Sequence, residues 1–528
     1  MTAVPRHMMT TQGAPWVALG LITLIAVSTG CAETPVIDLR LVKEASLILE
    51  GDLRVRFRRV SDNAVIHEVG ATGNQVDMAP SRAGLDFLRE GEELFVTLRG
   101  ASPRCPKPVV GRSLAFRHRR ESYTIPIAIG CADQFNRTLA APTGPRLGHT
   151  VTALGDGGAV IAGGAPRIDL SDDLPAPLGE TLAVERYDLA TGRYETLGPS
   201  ALGQPRIFAP ALHNVRGEVA LFGGIVATDP ANPRDRICAD DVQVVYPEPR
   251  TVDLTTARCF SGAAETQSGF LVMGGNVNTF EPAVELHGKR LIQPPAPSTG
   301  PSDVWVYPQV VGLGGAVILA GASLQTSDAP LALGIEDCGD GPCIRPQPLG
   351  EIPTNWFPGF GDVLAVVECL ANPERQSLFV VGGAFVEPPT PPSEEPGIVP
   401  TDRIWCSAVE LDQPLRFVDT QVVLPSGRHS HSLFAVGAPG PRTTLVGVGG
   451  VTTGDDAVRL VVDGCNCLVE QVEESSLGVA SIFLFGSGAL LADQSLLVVG
   501  GGEPDPVEPT VFRGFDFSQV YFPDLEGE

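Results

Sequence analysis

Short apolar stretches that end in paired glycines recur along most of this chain. The clearest copy lies in Pro145–Gly164, where apolar runs at Leu147–Ala153 and Ala159–Ala162 flank an Asp156-Gly157 turn. Apolar runs of this length, separated by tight turns, predict antiparallel β-strands. Glycine pairs follow such runs at Gly163-Gly164, Gly223-Gly224, Gly274-Gly275, Gly382-Gly383, Gly449-Gly450 and Gly500-Gly501, with a degenerate copy at Gly321-Ala322.

The spacing of these glycines is roughly fifty to sixty residues, which is typical of a four-stranded unit repeated around a β-propeller. In four copies an arginine opens the first strand, and we call these residues the opening arginines. They lie in the motifs Arg146-x-x-His149, Arg206-x-x-Ala209, Arg258-x-x-Ser261 and Arg428-x-x-His431. Two further strands follow each glycine pair, and in the first copy these are Thr181–Leu189 and Arg193–Leu197.

The opening arginine, the glycine pair and the segment Tyr187-Asp188-Leu189-Ala190-Thr191-Gly192-Arg193-Tyr194 resemble the kelch family. The resemblance covers about residues 141–528 and is strongest in the first copy. It implies an all-β fold with a seven-bladed kelch-like β-propeller, or a six-bladed one if the degenerate copy is discounted. It also implies that Phe135–Ala140 pairs with the last blade to close the ring.

Residues 31–140 lack the repeat and predict a separate small antiparallel β-sandwich. Leu53–Arg58 alternates apolar with cationic residues, which is the pattern of a half-buried strand. Six such strands in about a hundred residues are typical of a sandwich. The predicted strands are Ala45–Leu49, Leu53–Arg58, Ala64–Val69, Leu94–Leu98, Leu114–His118 and Tyr123–Ile129.

Residues 1–30 have the features of a secretory signal. Arg6 precedes the apolar run Trp16–Val27, which is too short to cross a bilayer as a helix. The following Ser28-Thr29-Gly30-Cys31 resembles a bacterial lipobox, although a leucine is usual where Ser28 stands. The resemblance implies lipidation of Cys31, with ordinary signal cleavage as the alternative. Since Ala32 rather than aspartate follows, we expect a lipid anchor in the outer membrane of a bacterial cell envelope.

The chain carries 62 acidic and 37 basic residues, a net charge of -25. This charge argues against nucleic acid as a partner, because phosphate backbones are bound through lysine and arginine. We expect a soluble monomer, apart from its lipid, whose partner is an unknown protein or glycan.

Eleven cysteines leave ten once Cys31 is set aside, and an even number in an exported chain predicts disulfides. The predicted pairs are Cys105 with Cys131, Cys238 with Cys259, Cys338 with Cys343, and Cys369 with Cys406. Cys465 and Cys467 are the doubtful pair, because so small a ring is strained. No Cys-x-x-Cys motif indicates zinc.

Long acidic loops after the glycine pairs predict a binding face, since loops carry function more often than the strands they join. Solvated insertions are the plainer interpretation. The acidic residues are Asp169, Asp172, Asp173, Asp235, Asp240, Asp241, Glu394, Glu395, Asp455 and Asp456. Adjacent aspartates could hold Ca²⁺, but no spacing matches an EF-hand. The opening arginines could line a channel mouth and grip a carboxylate, or bond the backbone of neighbouring blades.

His429 and His431 lie two residues apart, so on a strand both imidazoles would face one side. A metal is one interpretation, but His431 aligns with His149 in the repeat, which favours a structural role. We predict no metal and no cofactor. Some kelch-like propellers resemble galactose oxidase, with copper held by tyrosine and histidine, but no residues here match those ligands. A binding or scaffold protein is therefore the first hypothesis, and a secreted carbohydrate-active or oxidative enzyme is the alternative.

Overall fold

The computed structural model shows an all-β protein, with no helix among the described residues. None of these residues therefore belongs to a helix long and apolar enough to span a bilayer. The structure describes residues 21–24, 37–44, 46–72, 89–119, 123–172, 174–180, 182–197, 202, 204–214, 217–229, 232–266, 269–274, 285–286, 289–290, 309–313, 316–320, 331–337, 342–348, 351–353, 355–357, 363–369, 375–387, 397–409, 415–437, 442–452, 456–477 and 482–525.

The N-terminal strands form one eight-stranded sheet, in the order β1-β2-β8-β6-β5-β3-β4, with β7 paired to β5. Its strands are β1 (Leu21–Leu24), β2 (Ile37–Val42), β3 (Glu50–Arg59), β4 (Val65–Thr72), β5 (Glu93–Ala101), β6 (Val109–Ser113), β7 (Phe116–Arg117) and β8 (Tyr123–Cys131). The predicted two-sheet sandwich is therefore wrong for the described part of this region. Strand β2 also pairs in parallel with β8, so the sheet is mixed rather than antiparallel.

This sheet curves into a half-barrel around a single apolar face. Leu53, Val55 and Phe57 alternate on β3 and are all buried in that face, as the sequence pattern predicts. The arginines between them lie on the other side, where Arg56 pairs across the ladder with Glu68 at 2.7 Å. The predicted strand at Ala45–Leu49 is absent in its described part, where Leu47 instead covers the apolar face from a loop.

The rest of the chain is built from short antiparallel strands. Those in residues 135–274 are β9 (Phe135–Arg137), β10 (Leu147–Ala153), β11 (Ala159–Ala165), β12 (Arg167–Asp169), β13 (Ala176–Leu178), β14 (Glu185–Asp188), β15 (Arg193–Thr196), β16 (Arg206–Ile207), β17 (Ala211–His213), β18 (Val219–Phe222), β19 (Ile225–Asp229), β20 (Asn232–Tyr246), β21 (Arg250–Arg258), β22 (Ser261–Thr266) and β23 (Gly269–Gly274).

The later strands continue the same pattern to the end of the chain. They are β24 (Glu285–Leu286), β25 (Lys289–Arg290), β26 (Gln309–Leu313), β27 (Ala316–Ala320), β28 (Leu331–Asp337), β29 (Pro342–Pro348), β30 (Trp356–Phe357), β31 (Leu364–Glu368), β32 (Gln376–Val381), β33 (Ala384–Glu387), β34 (Gly397–Pro400), β35 (Arg403–Val409), β36 (Val418–Val423), β37 (Arg428–His429), β38 (Ser432–Val436), β39 (Thr443–Val448), β40 (Gly450–Thr452), β41 (Ala457–Asp463), β42 (Leu468–Ser475), β43 (Ile482–Leu490), β44 (Leu496–Pro504), β45 (Val511–Gly514) and β46 (Ser518–Tyr521).

Five groups of these strands are four-stranded antiparallel units. In chain order the units, numbered one, two, five, six and seven, are β10-β11-β14-β15, β17-β18-β20-β21, β31-β32-β35-β36, β38-β39-β41-β42 and β43-β44-β46-β9. The pair β22-β23 marks unit three, and the pairs β26-β27 and β28-β29 mark unit four. Strand β9 joins β46 through the register Tyr521↔Phe135, which is the pairing predicted for Phe135–Ala140.

Consecutive units pack face to face through their apolar strands. The first strands are neighbours in the series β10, β17, β22, β26, β31, β38 and β43, and β43 in turn lies beside β10. Val160 of unit one shares a buried cluster with Leu221 of unit two, and Val499 of unit seven shares one with Ile161 of unit one. The last unit of the series therefore packs against the first.

The glycine pairs hold neighbouring units together. In the five fully described pairs, both glycines have φ between +58° and +97°, a range that side chains disfavour. In three of the pairs the second glycine donates its N–H to the carbonyl oxygen of the next unit's opening arginine, as from Gly224 to Arg258 at 2.8 Å. A Cβ on the first glycine, Gly223, would lie 2.5 Å from that same carbonyl oxygen. These glycines therefore allow the backbones of neighbouring units to pack closely.

Replacing Gly223 by alanine is expected to lower the free energy of unfolding by about 2–4 kcal/mol, through both backbone strain and overpacking. Gly217→Ala is the matched control, because Gly217 also has positive φ (+82°) but nothing within 4 Å of an added Cβ. That variant should lose only the backbone term, about 1 kcal/mol. Urea unfolding measures both, and equal losses would contradict the inter-unit packing.

Candidate functional site

The opening arginines lie in the interior of the protein rather than at a channel mouth. Arg146, Arg206, Arg258 and Arg428 are each no more than 2% exposed. The guanidinium of Arg146 pairs with Glu185 and donates to the Gly163 carbonyl oxygen at 3.2 Å. The channel-mouth interpretation is therefore corrected: a cation removed from water needs a carboxylate and backbone acceptors, so these arginines serve the fold.

The predicted acidic face divides into buried and exposed residues. Asp169, Asp241 and Asp456 are largely buried or engaged in the fold, which corrects their assignment to a binding surface. Asp241 is the counter-ion of Arg206, Asp169 accepts the Ser171 N–H at 2.9 Å, and Asp456 accepts the Leu477 N–H at 2.7 Å. The exposed ones are Asp172, Asp235 and Asp240, and those outside the described residues are Asp173, Glu394, Glu395 and Asp455.

The exposed acids share one hairpin, formed by β19 and β20, because Asp235 and Asp240 lie on β20 and Asp172 pairs with Arg236 of that strand. The disulfide Cys238–Cys259 ties this hairpin to the end of β21. Arg236 reaches from β20 to the Leu174 carbonyl oxygen and to the Asp172 carboxylate, the latter at 2.9 Å. Between these two attachments Ile237 is 50% exposed. The hairpin is therefore fixed at its base and presents an apolar residue flanked by carboxylates to solvent.

Neither histidine of the predicted pair faces a shared site. His429 contacts its neighbour Ser430 through Nδ1 at 2.8 Å, whereas His431 is buried. His431 packs near Gly382 as His149 packs near Gly500, so the two histidines occupy equivalent positions. Burial lowers the pKa of His149 to about 3, and Arg146 nearby adds to the effect. No group of three or more metal-ligating side chains occurs in the described part of the chain.

The structure contains an aromatic cluster that the sequence analysis does not predict. Phe208, Phe260 and Phe485 all have φ between +53° and +60°, which is unusual for an aromatic residue. The ring centroids of Phe208 lie 5.7 Å from Phe260 and 5.2 Å from Phe485. Phe208 and Phe260 stand two residues after their opening arginines, the position that Gly148 occupies in unit one. That spacing is the signal that could have revealed the cluster.

Four disulfides link eight cysteines of the described part of the chain, which indicates an oxidising compartment. Cys105–Cys131 and Cys238–Cys259 are as predicted. The predicted Cys369–Cys406 pair is wrong, because Cys369 pairs with Cys465 and Cys406 with Cys467. The two cysteines on the β41–β42 turn, which are separated by Asn466, thus join unit six to two places in unit five. Cys31 and the predicted pair of Cys338 with Cys343 involve positions outside the described residues.

The half-barrel is fixed to the repeat units through a buried carboxylate, Asp133. Its side chain meets Lys107 at 3.0 Å and Arg459 of unit six at 3.7 Å, and accepts the Tyr521 hydroxyl at 3.3 Å. Burial alone would raise the pKa of Asp133, but Arg459, the Asp524 N–H and Lys107 together hold it below its usual value. Asp133 is therefore an anion that ties three parts of the chain together.

Two cavities lie along this junction. The larger, which we call the junction cavity, has a volume of about 250 Å³ and lies between the half-barrel, β9 and units one and seven. The smaller, of about 30 Å³, lies between β5, β6 and the last residues of unit seven. Asp493 lines the smaller cavity beside Arg112, and burial raises its pKa to about 6. Its Oδ1 atom accepts the Ser495 hydroxyl at 2.6 Å, whereas its Oδ2 atom has no partner.

Comparison with known proteins adds little to this geometry. No protein-family model matches the chain, and no curated protein sequence matches it. One similar solved structure is described as "Novel fungal alcohol oxidase with catalytic diversity among the AA5 family, in complex with copper", with 11% identity and a TM-score of 0.46 over 74% of this chain and 76% of that one. A superposition of this quality does not establish a shared fold.

Asp493 gives a pH-dependent stability with a defined sign. Its pKa is raised in the folded state, so the folded protein holds a proton that the unfolded chain has released between about pH 4 and pH 6. Stability from this group is therefore present at low pH and is lost as the pH rises, by up to about 3 kcal/mol. Asp493→Asn should abolish that dependence in thermal unfolding across pH 4–8. Asp516→Asn, at an exposed position, is the control, and parallel pH profiles for wild type and Asp493→Asn would contradict the assignment.

The corrected disulfide pairing can be tested by counting thiols. Removing Cys369 and Cys465 together should leave no new free thiol and cost roughly 4–5 kcal/mol, because the bridge closes a loop of 96 residues. Removing Cys369 and Cys406 together, the originally predicted pair, should instead expose two thiols, on Cys465 and Cys467. Thiol titration in denaturant distinguishes the two outcomes, and the reverse result would restore the predicted pairing.

Proposed function

We propose that residues 141–528 form a seven-bladed kelch-like β-propeller that serves as a rigid binding scaffold. Three observations support this arrangement. Seven units can be traced, the first strands of consecutive units are neighbours, and β43 of unit seven lies beside β10 of unit one. In addition, β9 from before the repeats completes unit seven, a pairing that resists unravelling at the ring's ends. A six-bladed ring would leave one of the seven first strands without a place.

The N-terminal half-barrel then acts as a spacer between a lipid anchor and the propeller. Strands β2 and β8 run in parallel, and β8 leads directly into β9 of unit seven. Val42, at the end of β2, packs against the repeat units, whereas Ile37 begins the strand about 17 Å away. Cys31 lies six residues before Ile37. Lipidation of Cys31 would remove residues 1–30 and with them β1, so the mature half-barrel would begin at β2. The lipid would then anchor the end of the half-barrel that points away from the propeller.

The propeller recognises a protein or glycan through the β19–β20 hairpin. The main support is that this hairpin has a fixed base and an exposed apolar residue. A disulfide and the contacts of Arg236 fix its base, so little conformational entropy is lost when a partner binds. At the same time Ile237 is half exposed, with Asp235 and Asp240 also exposed nearby. A strand that carries an exposed apolar residue and two exposed carboxylates suits a partner with a cationic or hydroxyl-rich surface.

A photo-crosslinker at position 237 tests this proposal in intact cells. Replacing Ile237 by p-benzoylphenylalanine should give a discrete covalent adduct, because the crosslinker inserts into nearby C–H bonds of either a protein or a glycan. The double variant Asp235→Asn/Asp240→Asn should lower the yield of that adduct about fivefold or more. Glu195→Gln/Glu248→Gln, which removes the same charge elsewhere on the surface, should leave it unchanged. A yield unaffected by the aspartate changes, or no adduct, would contradict the proposal.

The alternative, a carbohydrate-active or oxidative enzyme, has its own readout on the purified protein. Elemental mass spectrometry that finds stoichiometric copper, together with oxidation of an alcohol substrate, would replace the binding proposal. Calcium at one equivalent or more would instead indicate that the acidic loops are structured sites.

Lipid anchoring is tested by Cys31→Ser in the full-length chain. We expect the wild type in the membrane fraction and the variant in the soluble extracytoplasmic fraction, because no other anchor is proposed for this chain. Metabolic labelling with palmitate should mark the wild type alone. Cys105→Ser/Cys131→Ser is the control for loss of a cysteine at a site remote from the anchor. A labelled or membrane-bound Cys31→Ser protein would contradict the assignment.

A further inference from the structure

The junction cavity is enclosed by elements from both halves of the molecule. The loop after β2 and strand β8 form the half-barrel side, and the segment 134–139 forms a second wall. Units one and seven contribute Tyr187 and Phe522, both of which are buried. Val42 and Leu139 add further apolar surface beside them. The inner part of the cavity is therefore apolar, and its volume of about 250 Å³ is several times that of a water molecule.

Three cations line the same cavity, which is unusual in a chain where acids outnumber bases by 62 to 37. Arg104, Arg137 and Lys43 come from three separate elements, namely the β5–β6 loop, β9 and the loop after β2. Lys43 donates to the Leu47 carbonyl oxygen. Arg104 and Arg137 are exposed, and their guanidinium groups have no hydrogen bond or ion pair with any described residue. One acid, Glu44, lines the cavity, and it accepts the Ser46 hydroxyl at 2.7 Å.

The elements that carry the two arginines are fixed in place. Arg104 adjoins Cys105, which is bonded to Cys131 of β8. Arg137 belongs to β9, where its backbone pairs with Gln519 of β46. Between them, Asn136 accepts the Cys131 N–H at 2.9 Å and donates to the Gln134 carbonyl oxygen at 2.9 Å. The cationic rim is thus attached to a rigid wall, so a ligand would bind without ordering a loop.

We propose that the junction cavity binds a small amphipathic carboxylate, with its apolar body against Tyr187 and Phe522 and its anionic group at Arg104 and Arg137. Guanidinium groups bind carboxylates through two parallel N–H···O bonds, and two arginines at one rim can share a single anionic group. The site is separate from the β19–β20 hairpin and does not depend on the function proposed for it.

Binding of naphthoate to the purified full-length chain tests the proposal, with the uncharged naphthamide as the comparison probe. Isothermal titration should show one saturable site for naphthoate and at least tenfold weaker binding of naphthamide, since a charge-assisted hydrogen bond contributes roughly a factor of ten or more. Arg104→Gln/Arg137→Gln should weaken naphthoate binding at least tenfold. Because both side chains are exposed and unpaired, the variant should keep the wild-type melting temperature.

Arg416→Gln is the matched control, because Arg416 is exposed and does not line the cavity. This variant should bind naphthoate as the wild type does. Raising the salt concentration should weaken naphthoate binding and leave that of naphthamide unchanged. The proposal is overturned if the wild type binds no naphthoate, if the two probes bind equally, or if the double arginine variant binds as well as the control.

Discussion

The fold depends on one repeated contact, the approach of a glycine pair to the backbone of the next unit's opening arginine. The carbonyl oxygen of Arg146 accepts the Gly501 N–H at 3.0 Å, while its guanidinium turns back to the Gly163 carbonyl oxygen within its own unit. One residue therefore bonds the unit before it and the interior of its own unit. The contact requires a backbone without Cβ at the first glycine, because side-chain carbon would collide with the arginine carbonyl.

A buried guanidinium brings a second requirement, since an unpaired charge in the interior is strongly destabilising. Glu185 meets this need for Arg146, and Asp241 does so for Arg206, each from the third strand of its own unit. These carboxylates are thereby withdrawn from any ligand. The proposed binding surfaces therefore lie where the repeat does not constrain the residue type. These are the long hairpin β19–β20 and the junction with the half-barrel.

The repeat was predictable because glycine pairs and opening arginines recur in the linear sequence, but the roles of individual acids were not. Asp240 and Asp241 are adjacent and chemically identical, yet successive residues of a strand face opposite sides, so one is exposed and the other pairs with Arg206. Only the register of β20 distinguishes them. The Cys369–Cys465 bridge was hidden for a related reason, since it joins two units and spans 96 residues. Proximity in sequence favours partners within one unit.

The junction also explains why the half-barrel was misjudged as an independent sandwich. A sheet with one apolar face normally buries it against a second sheet, but here the half-barrel curves around that face. Ala128 lies on the opposite face of β8 and packs against apolar residues of units one and seven. Asp133, at the end of β8, then joins Arg459 and Tyr521 in a buried network. Strand β8 continues into β9, which completes unit seven. The half-barrel and the repeat units are therefore joined at one place by the chain itself, by apolar contacts and by a buried anion. The walls of the junction cavity therefore belong to elements that are bonded to one another, which lowers the entropy that a ligand would lose by ordering them.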